Sequence, residues 1–188
     1  MRDTQGSEPT SPASGAQYLE ELGRDLVAAA YLEGDFVLSS GRRSTYYFDK
    51  YLFETKPSLL GRLAEALARS LPPDVDRLAG PELGAVALAA AVSLRTGLPF
   101  VIVKKQSKDY ATRRTIEGEL VAGDRVVVVE DILTTGAAAV RAADAVREAG
   151  GVVLKILAVV DREEGASDSV AAAGYAFEAL FRRSDLGV

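Results

Sequence analysis

The fold is decided by one stretch of the sequence, which reads Val126-Val127-Val128-Val129-Glu130-Asp131-Ile132-Leu133-Thr134-Thr135-Gly136-Ala137-Ala138. Four consecutive valines are typical of a strand buried on both faces, as in the middle of a parallel sheet. Two carboxylates follow at the end of this strand, then a short polar turn, and an alanine-rich helix is predicted from about Ala137. The stretch therefore predicts one strand–turn–helix unit of an open α/β sheet.

The turn of this unit has the features of a phosphate-binding site. Ligands of open α/β sheets bind just beyond the carboxyl ends of the strands, where a helix N-terminus offers free N–H groups and a partial positive charge. Thr134 and Thr135 add hydroxyl donors, and Gly136 lets a ligand approach the backbone closely. Glu130 and Asp131 would repel a phosphate, so they are better suited to accept hydrogen bonds from hydroxyl groups, such as those of a ribose. The stretch predicts a phosphate cradle beside a diol clamp.

This stretch resembles, over its whole length, the phosphoribosyl-pyrophosphate (PRPP) motif of type I phosphoribosyltransferases. That motif is a hydrophobic strand, two acidic residues, a hydrophobic pair and a loop similar to Thr-Thr-Gly. The resemblance implies that the acidic pair holds the ribose hydroxyls, with Asp131 also catalytic. It implies a PRPP-binding set here of Glu130, Asp131, Ile132, Leu133, Thr134, Thr135, Gly136, Ala137 and Ala138. The alternative is an ordinary strand–helix unit, in which a buried acidic pair would be costly without a partner.

The composition limits the chemistry that the chain can perform. It has 188 residues, a net charge of −5, no cysteine and no histidine. These features exclude disulfides, thiolate nucleophiles, histidine triads and the usual transition-metal ligands, and they argue against nucleic-acid binding. Any metal should be a hard cation such as Mg²⁺, shared with substrate phosphates, and no side chain is assigned as its ligand. Without an apolar run of membrane-spanning length or a signal peptide, we expect a cytoplasmic protein.

The rest of the chain alternates between helices and strands, which predicts an α/β fold with a doubly wound, mostly parallel sheet. Residues 1–16 are predicted to be a disordered tail, and residues 17–188 a single domain. Helices are predicted at 18–32, ended by Gly34, then from Pro57, at 85–95, 137–149 and near 167–173. Strands are predicted at 36–38, 46–49, 78–79, 99–103, 152–160 and near 175–181. The turn at 80–84 is a candidate for a second anion-binding site.

The segment 104–118 is polar and carries five basic residues. It is either a solvated mobile loop or a lid that brings cations over a polyphosphate. It resembles orotate phosphoribosyltransferases, which have Arg/Lys-Lys-x-x-Lys-Asp-His-Gly here, whereas this chain has Lys104-Lys105-Gln106-Ser107-Lys108-Asp109-Tyr110-Ala111. The resemblance implies that Lys108 is the catalytic lysine of the lid. It also implies PRPP contacts for Lys104, Lys105 and Tyr110, although tyrosine stands where the family has histidine.

Two further segments match a base-binding site of the same family. Residues 39–49 resemble its Lys-Ser-Gly-Arg-x-Ser-Pro-Tyr-Phe stretch, with Ser39 in place of the lysine and Thr45 in place of the proline. The resemblance implies that orotate contacts Tyr47, Phe48 and Thr134, and that its carboxylate pairs with Arg162. Arginine suits a planar anion because its guanidinium binds it in a bidentate manner. From the residues alone, the aromatic run is better explained as a core or edge strand, and Arg162 could equally be part of a surface ion pair.

Together these resemblances imply the type I phosphoribosyltransferase fold with a small N-terminal hood. They imply an enzyme that makes orotidine 5′-monophosphate and pyrophosphate from orotate and PRPP, with Mg²⁺, as a homodimer. Two alternatives remain open: a phosphoribosyltransferase for another nucleobase, and a PRPP-binding regulator without catalysis. Arg162 argues against the first, because a neutral base offers it no carboxylate, and Lys108 argues against the second.

Overall fold

The valine run lies at the centre of the computed structural model, which describes residues 15–37, 41, 43–105 and 115–188. The strands are β1 (Tyr31–Val37), β2 (Arg43–Phe48), β3 (Arg77–Pro81), β4 (Phe100–Val103), β5 (Ile116–Glu117), β6 (Arg125–Leu133), β7 (Val152–Asp161) and β8 (Phe177–Arg182). The helices are α1 (Gly15–Ala30), α2 (Lys50–Glu54), α3 (Pro57–Arg69), α4 (Gly84–Thr96), α5 (Ala137–Glu148) and α6 (Ala166–Ala172), and a 3-10 turn spans Arg183–Leu186.

Six of these strands form one sheet in the order β5-β4-β3-β6-β7-β8, and only β5 runs antiparallel to its neighbour. The chain proceeds from β3 outward to β4, then returns to place β6 on the other side of β3. The strand order therefore reverses between β3 and β6. In open α/β sheets the crevice outside the carboxyl ends of two such strands is where ligands bind.

Both faces of the sheet are covered by helices, as predicted for a doubly wound fold. Alternate residues of a strand point to opposite faces. Val127 and Val129 accordingly join a core with buried leucines of α1, α3 and α4. Val126 and Val128 join a second core with buried alanines of α5 and with Val170 of α6. The prediction of a strand buried on both faces is confirmed.

A small N-terminal unit lies over the carboxyl end of the sheet. The antiparallel pair β1–β2 forms its hairpin, and α2 follows directly, begun by Asp49, whose side chain accepts a hydrogen bond from the Tyr51 amide. Phe48 and Phe53 are buried in the core and anchor this unit. The unit is the hood that the sequence implied.

Several predicted boundaries were wrong. Gly34 does not end the first helix, because the chain leaves α1 at Ala30 and Gly34 lies within β1. The acidic pair does not end the central strand, which continues to Leu133. Helix α2, strand β5 and the 3-10 turn were not predicted. The helix α1 begins at Gly15, and residues 1–14 of the expected tail lie outside the described residues.

Within the described part of the chain, no helix combines the length and the apolar character needed to cross a membrane.

Candidate active site

The phosphate cradle predicted after β6 is an open helix N-terminus. Gly136 is the N-cap of α5 and has a positive φ of 77°, and as a glycine it has no side chain with which to cap the helix. A Cβ at this glycine would lie 3.2 Å from the backbone of Ala166, so α6 also requires a glycine here. Thr134, Thr135, Ala137 and Ala138 are exposed around it. The first amides of α5 are therefore accessible to an anion.

Asp131 lies deep beside this cradle. Its side chain is 4% exposed, and its Oδ2 atom accepts a 2.7 Å hydrogen bond from the Nζ atom of Lys50 on α2. Burial alone would lower the pKa of Lys50, but the charge of Asp131 and this hydrogen bond outweigh it and raise the pKa. Asp131 therefore has a charged partner in the hood, which the sequence did not predict.

Glu130 points away from Asp131, as its place in the strand requires. It follows Val126 and Val128 in the alternation, whereas Asp131 follows Val127 and Val129. Its Oε1 atom is buried without a hydrogen-bond partner in the described residues. Burial, followed by the charge of Asp131, raises the pKa of Glu130 to about 8. An orphan buried oxygen of this kind is suited to a ligand hydroxyl group.

Glu54 is a third acidic group at this site. It lies one helical turn after Lys50, is 5% exposed, and its Oε1 atom also lacks a partner among the described residues. Burial, followed by the negative charge of Asp131, raises the pKa of Glu54 to about 8. The Glu54 carboxyl group is therefore mostly protonated at neutral pH.

The raised pKa predicts a pH dependence of stability. Between the ordinary value of 4.5 and about 8, folded Glu54 keeps a proton that the unfolded chain has lost. This group therefore makes the free energy of unfolding fall as pH rises through that interval. Urea denaturation from pH 5 to 9 should show that Glu54→Gln gains stability over the wild type progressively with pH. A difference between the two proteins that stays constant with pH would contradict the prediction, and Glu148→Gln, at an exposed position, serves as the matched control.

The turn from β3 to α4 lies against the same acidic group. Gly84 begins α4, and a Cβ at this position would collide with the Asp131 carboxylate. Its N-cap residue, Leu83, makes no side-chain cap bond, and the Glu82–Leu83 peptide bond is cis. The candidate anion-binding turn at 80–84 is thus brought next to the diol clamp.

The predicted lid begins at the end of β4. Lys104 pairs with Glu117 at 2.7 Å, and the Lys105 amide donates to the Glu82 Oε1 atom at 2.5 Å. The Lys105 backbone therefore lies beside the turn before α4, and the Lys104 side chain is held by β5. Lys108 and Tyr110, the other predicted residues of the lid, lie outside the described residues.

Arg162 is the buried cation at the end of β7. Its side chain is 8% exposed, its NH2 group pairs with Glu164 at 2.9 Å, and its Nε atom has no partner among the described residues. The guanidinium lies 4.9 Å from the ring centre of Tyr46, which stacks on Tyr31. The interpretation as a surface ion pair is therefore excluded, because this arginine is buried under the hood.

The predicted aromatic pair, Tyr47 and Phe48, is divided between the two faces of β2. Phe48 is buried in the core, and Tyr47 packs on Phe36 of β1 with ring centres 5.6 Å apart. The side chain that reaches Arg162 is instead that of Tyr46, which the sequence analysis did not single out. Neighbouring residues of a strand point in opposite directions, so this alternation was a usable signal.

The loop that carries Arg162 is held from the C-terminal side. Glu163 has a positive φ of 59°, and its two carboxylate oxygens accept 2.9 Å hydrogen bonds from the amide and hydroxyl groups of Ser184. Its own amide donates to Asp161 at 2.8 Å. The backbone on both sides of Arg162 is thus restrained, which fixes the direction of the guanidinium.

These elements define a class of protein. The open N-terminus of α5, the buried carboxyl groups of Glu130 and Asp131 and the turn before α4 meet at the reversal of strand order, as in a phosphoribosyltransferase. The family model described as phosphoribosyl transferase domain matches residues 56–176. The orotate phosphoribosyltransferase of Halobacterium salinarum is 50% identical over 86% of this chain and 95% of its own. The chain belongs to the orotate phosphoribosyltransferase family.

Solved structures agree with this assignment. Orotate phosphoribosyltransferase from Aeropyrum pernix has a TM-score of 0.80 at 32% identity, over 88% of this chain and 95% of the other. The Mycobacterium tuberculosis enzyme in complex with 5-phospho-α-D-ribosyl 1-diphosphate has a TM-score of 0.73 at 32% identity, over 91% and 99% of the two chains.

Proposed function

We propose that this protein transfers the 5-phosphoribosyl group of PRPP to orotate, giving orotidine 5′-monophosphate and pyrophosphate in pyrimidine biosynthesis. The observation that carries this proposal is the arrangement of Asp131, the α5 turn and buried Arg162 at the carboxyl ends of adjacent strands. A ligand with a phosphate, a diol and a planar anion fits these three features together.

In this reaction the bond from C1 of the ribose to the diphosphate oxygen breaks, and its electron pair leaves with the diphosphate. A ring nitrogen of orotate forms the new bond to C1, and the proton that this nitrogen loses would pass to the departing diphosphate. Asp131 and Glu130 would accept hydrogen bonds from the ribose hydroxyls, and the α5 turn with Thr134 and Thr135 would hold the 5′-phosphate. The transition state should be similar to an oxocarbenium ion, as in other glycosyl transfers.

Orotate would bind between the hood and the loop after β7. Arg162 would bind its carboxylate, with the orphan Nε–H group as one of the donors. Tyr47 and Phe48 would contribute through the backbone of β2, since among the described strands this one pairs only with β1. This arrangement favours orotate over uracil or a purine, which lack the carboxylate.

Magnesium is the cofactor that fits this site. Within 15–37, 43–105 and 115–188, no group of three or more acidic side chains is arranged to hold a metal. Mg²⁺ would therefore be held chiefly by oxygens of the substrate diphosphate, whose charge it would neutralise. Lys108 from the segment after β4 would add positive charge, together with Lys104 and Lys105.

We further propose that the enzyme is a cytoplasmic homodimer.

The proposal is tested by measuring orotate consumption by absorbance in the presence of PRPP and Mg²⁺. Uracil, adenine and hypoxanthine serve as parallel substrates. Of these four bases, we expect the enzyme to consume orotate and not the other three. Turnover of another base would support the alternative of a different nucleobase specificity. Binding of PRPP without turnover of any base would support a regulator instead.

A further inference from the structure

Lys50 occupies a position that the proposed function leaves without a role. Its ammonium group bonds to buried Asp131, yet its own side chain remains 30% exposed, compared with 4% for Asp131. The lysine end of this ion pair is therefore partly open to solvent, while the aspartate end is buried.

The ammonium group also lies at the turn before α4. A Cβ built on Gly84 would be 2.9 Å from the Lys50 Nζ atom and 2.5 Å from the Glu54 Oε1 atom. Lys50, Glu54 and Asp131 therefore converge on the first residue of α4. The N-terminus of this 13-residue helix has no side-chain cap, and the orphan oxygen of Glu54 is directed at it.

The covalent structure of PRPP indicates which part of the substrate would lie near the Lys50 ammonium group. The diphosphate is attached to C1 of the ribose, and the neighbouring carbon, C2, carries a hydroxyl group. If Asp131 accepts from that hydroxyl and the α4 turn receives the diphosphate, the atoms that join the two groups must pass beside the Lys50 Nζ atom.

We propose that Lys50 is a further PRPP-binding residue, which contacts the phosphate attached directly to C1 while it keeps its bond to Asp131. This inference rests on the proposed function. An ammonium group has three donors, so one can remain on Asp131 while another binds a phosphate oxygen.

The charge balance of the site supports this role. Of the acidic side chains at this site, those of Glu54 and Glu130 have pKa values raised to about 8, so ion-paired Asp131 is the one that would chiefly repel a polyanionic substrate. Within the part of the chain that the structure describes, Lys50 is the basic residue that forms an ion pair with Asp131. A cation here reduces the repulsion between the diol clamp and the diphosphate. Its contact should strengthen as negative charge develops on the leaving oxygen.

The test compares Lys50→Met with Lys50→Arg by calorimetric titration in the presence of Mg²⁺. The ligands are PRPP, pyrophosphate and ribose 5-phosphate. We expect Lys50→Met to weaken PRPP and pyrophosphate about 10- to 100-fold, the effect of losing one charge-assisted hydrogen bond. Ribose 5-phosphate, which has no diphosphate, should be weakened less than about threefold, and Lys50→Arg should restore most of the PRPP affinity. Lys56→Met, at an exposed position at the start of α3, is the matched control.

Two results would overturn the inference. Equal losses for all three ligands would show that Lys50 acts only by positioning Asp131, and unchanged affinities would show a surface pair without a role in binding. Circular dichroism of each variant verifies that it is folded, and Lys50→Arg keeps the charge if Lys50→Met unfolds. Should the wild type bind PRPP and consume orotate while Lys50→Met matches it, only this inference fails. Should the wild type not bind PRPP, the proposed function fails with it.

Discussion

Asp131→Asn should lower kcat/KM for PRPP on the order of 1000-fold. The change keeps the shape of the side chain but removes the charge that would bind the ribose hydroxyls. Two charge-assisted hydrogen bonds of about 1.5–3 kcal/mol each account for a loss of this size. It also leaves the Lys50 ammonium without its partner at 2.7 Å. Steady-state kinetics with varied PRPP at saturating orotate and Mg²⁺ measure the effect.

The matched control for this change lies at the other end of the same strand. Asp124 immediately precedes β6 and pairs with Arg77 at 2.6 Å, at the amino edge of the sheet. Asp124→Asn should lower the free energy of unfolding and leave the kinetic constants unchanged. If both variants lost the same activity, the effect of Asp131→Asn would be one of folding and the diol clamp would be misassigned.

Arg162→Ala should raise the KM for orotate about 100-fold or more and change the KM for PRPP little. Removing one member of a buried, hydrogen-bonded charge pair costs about 2–5 kcal/mol, which is roughly 30- to 4000-fold in affinity. Arg162→Lys should give a smaller loss, because lysine keeps the charge and loses the bidentate geometry. Kinetics with each substrate varied in turn separate the two constants.

Arg77→Ala is the matched control for Arg162→Ala. Arg77 is 9% exposed, similar to the 7% of Arg162, and it is also in an ion pair with a carboxylate. We expect it to destabilise the fold without a selective effect on orotate. Equal rises of both KM values in Arg162→Ala would contradict the assignment of this arginine to the base site.

The sequence predicted those parts of the fold whose signals are local. The valine run, the helices that begin near Pro57 and Ala137, and the turns after β3 and β6 are determined by apolar pattern and by glycine and proline positions. The segment after α1 was less predictable. Tyr31 continues the helical apolar pattern, but tertiary pairing with Phe48 draws it into β1 instead.

The side chains that the hood places in the site, Lys50 and Glu54, could not be predicted from a local sequence pattern. Helix α2 has only five residues, which is too short for a periodic pattern, and Lys50 and Glu54 resemble any solvated pair one turn apart. The role proposed for Lys50 depends on its contact with Asp131, 81 positions later in the chain. The aromatic signal of Tyr46 was present, and only the alternation within β2 separates it from Tyr47.

The two hydrogen bonds that join Glu163 to Ser184 have a practical consequence for redesign of the enzyme. In the proposed site, nucleobase selection would depend on parts that the sugar-phosphate cradle does not share: the β1–β2 hairpin, the 162–164 loop and the Ser184 turn that supports it. To engineer an enzyme for another nucleobase, these three segments can therefore be exchanged together, while β6 and α5 are left unchanged. Exchanging the 162–164 loop without Ser184 would remove the hydrogen bonds that support it. The exchanged hairpin should end before Lys50, because Lys50 pairs with Asp131.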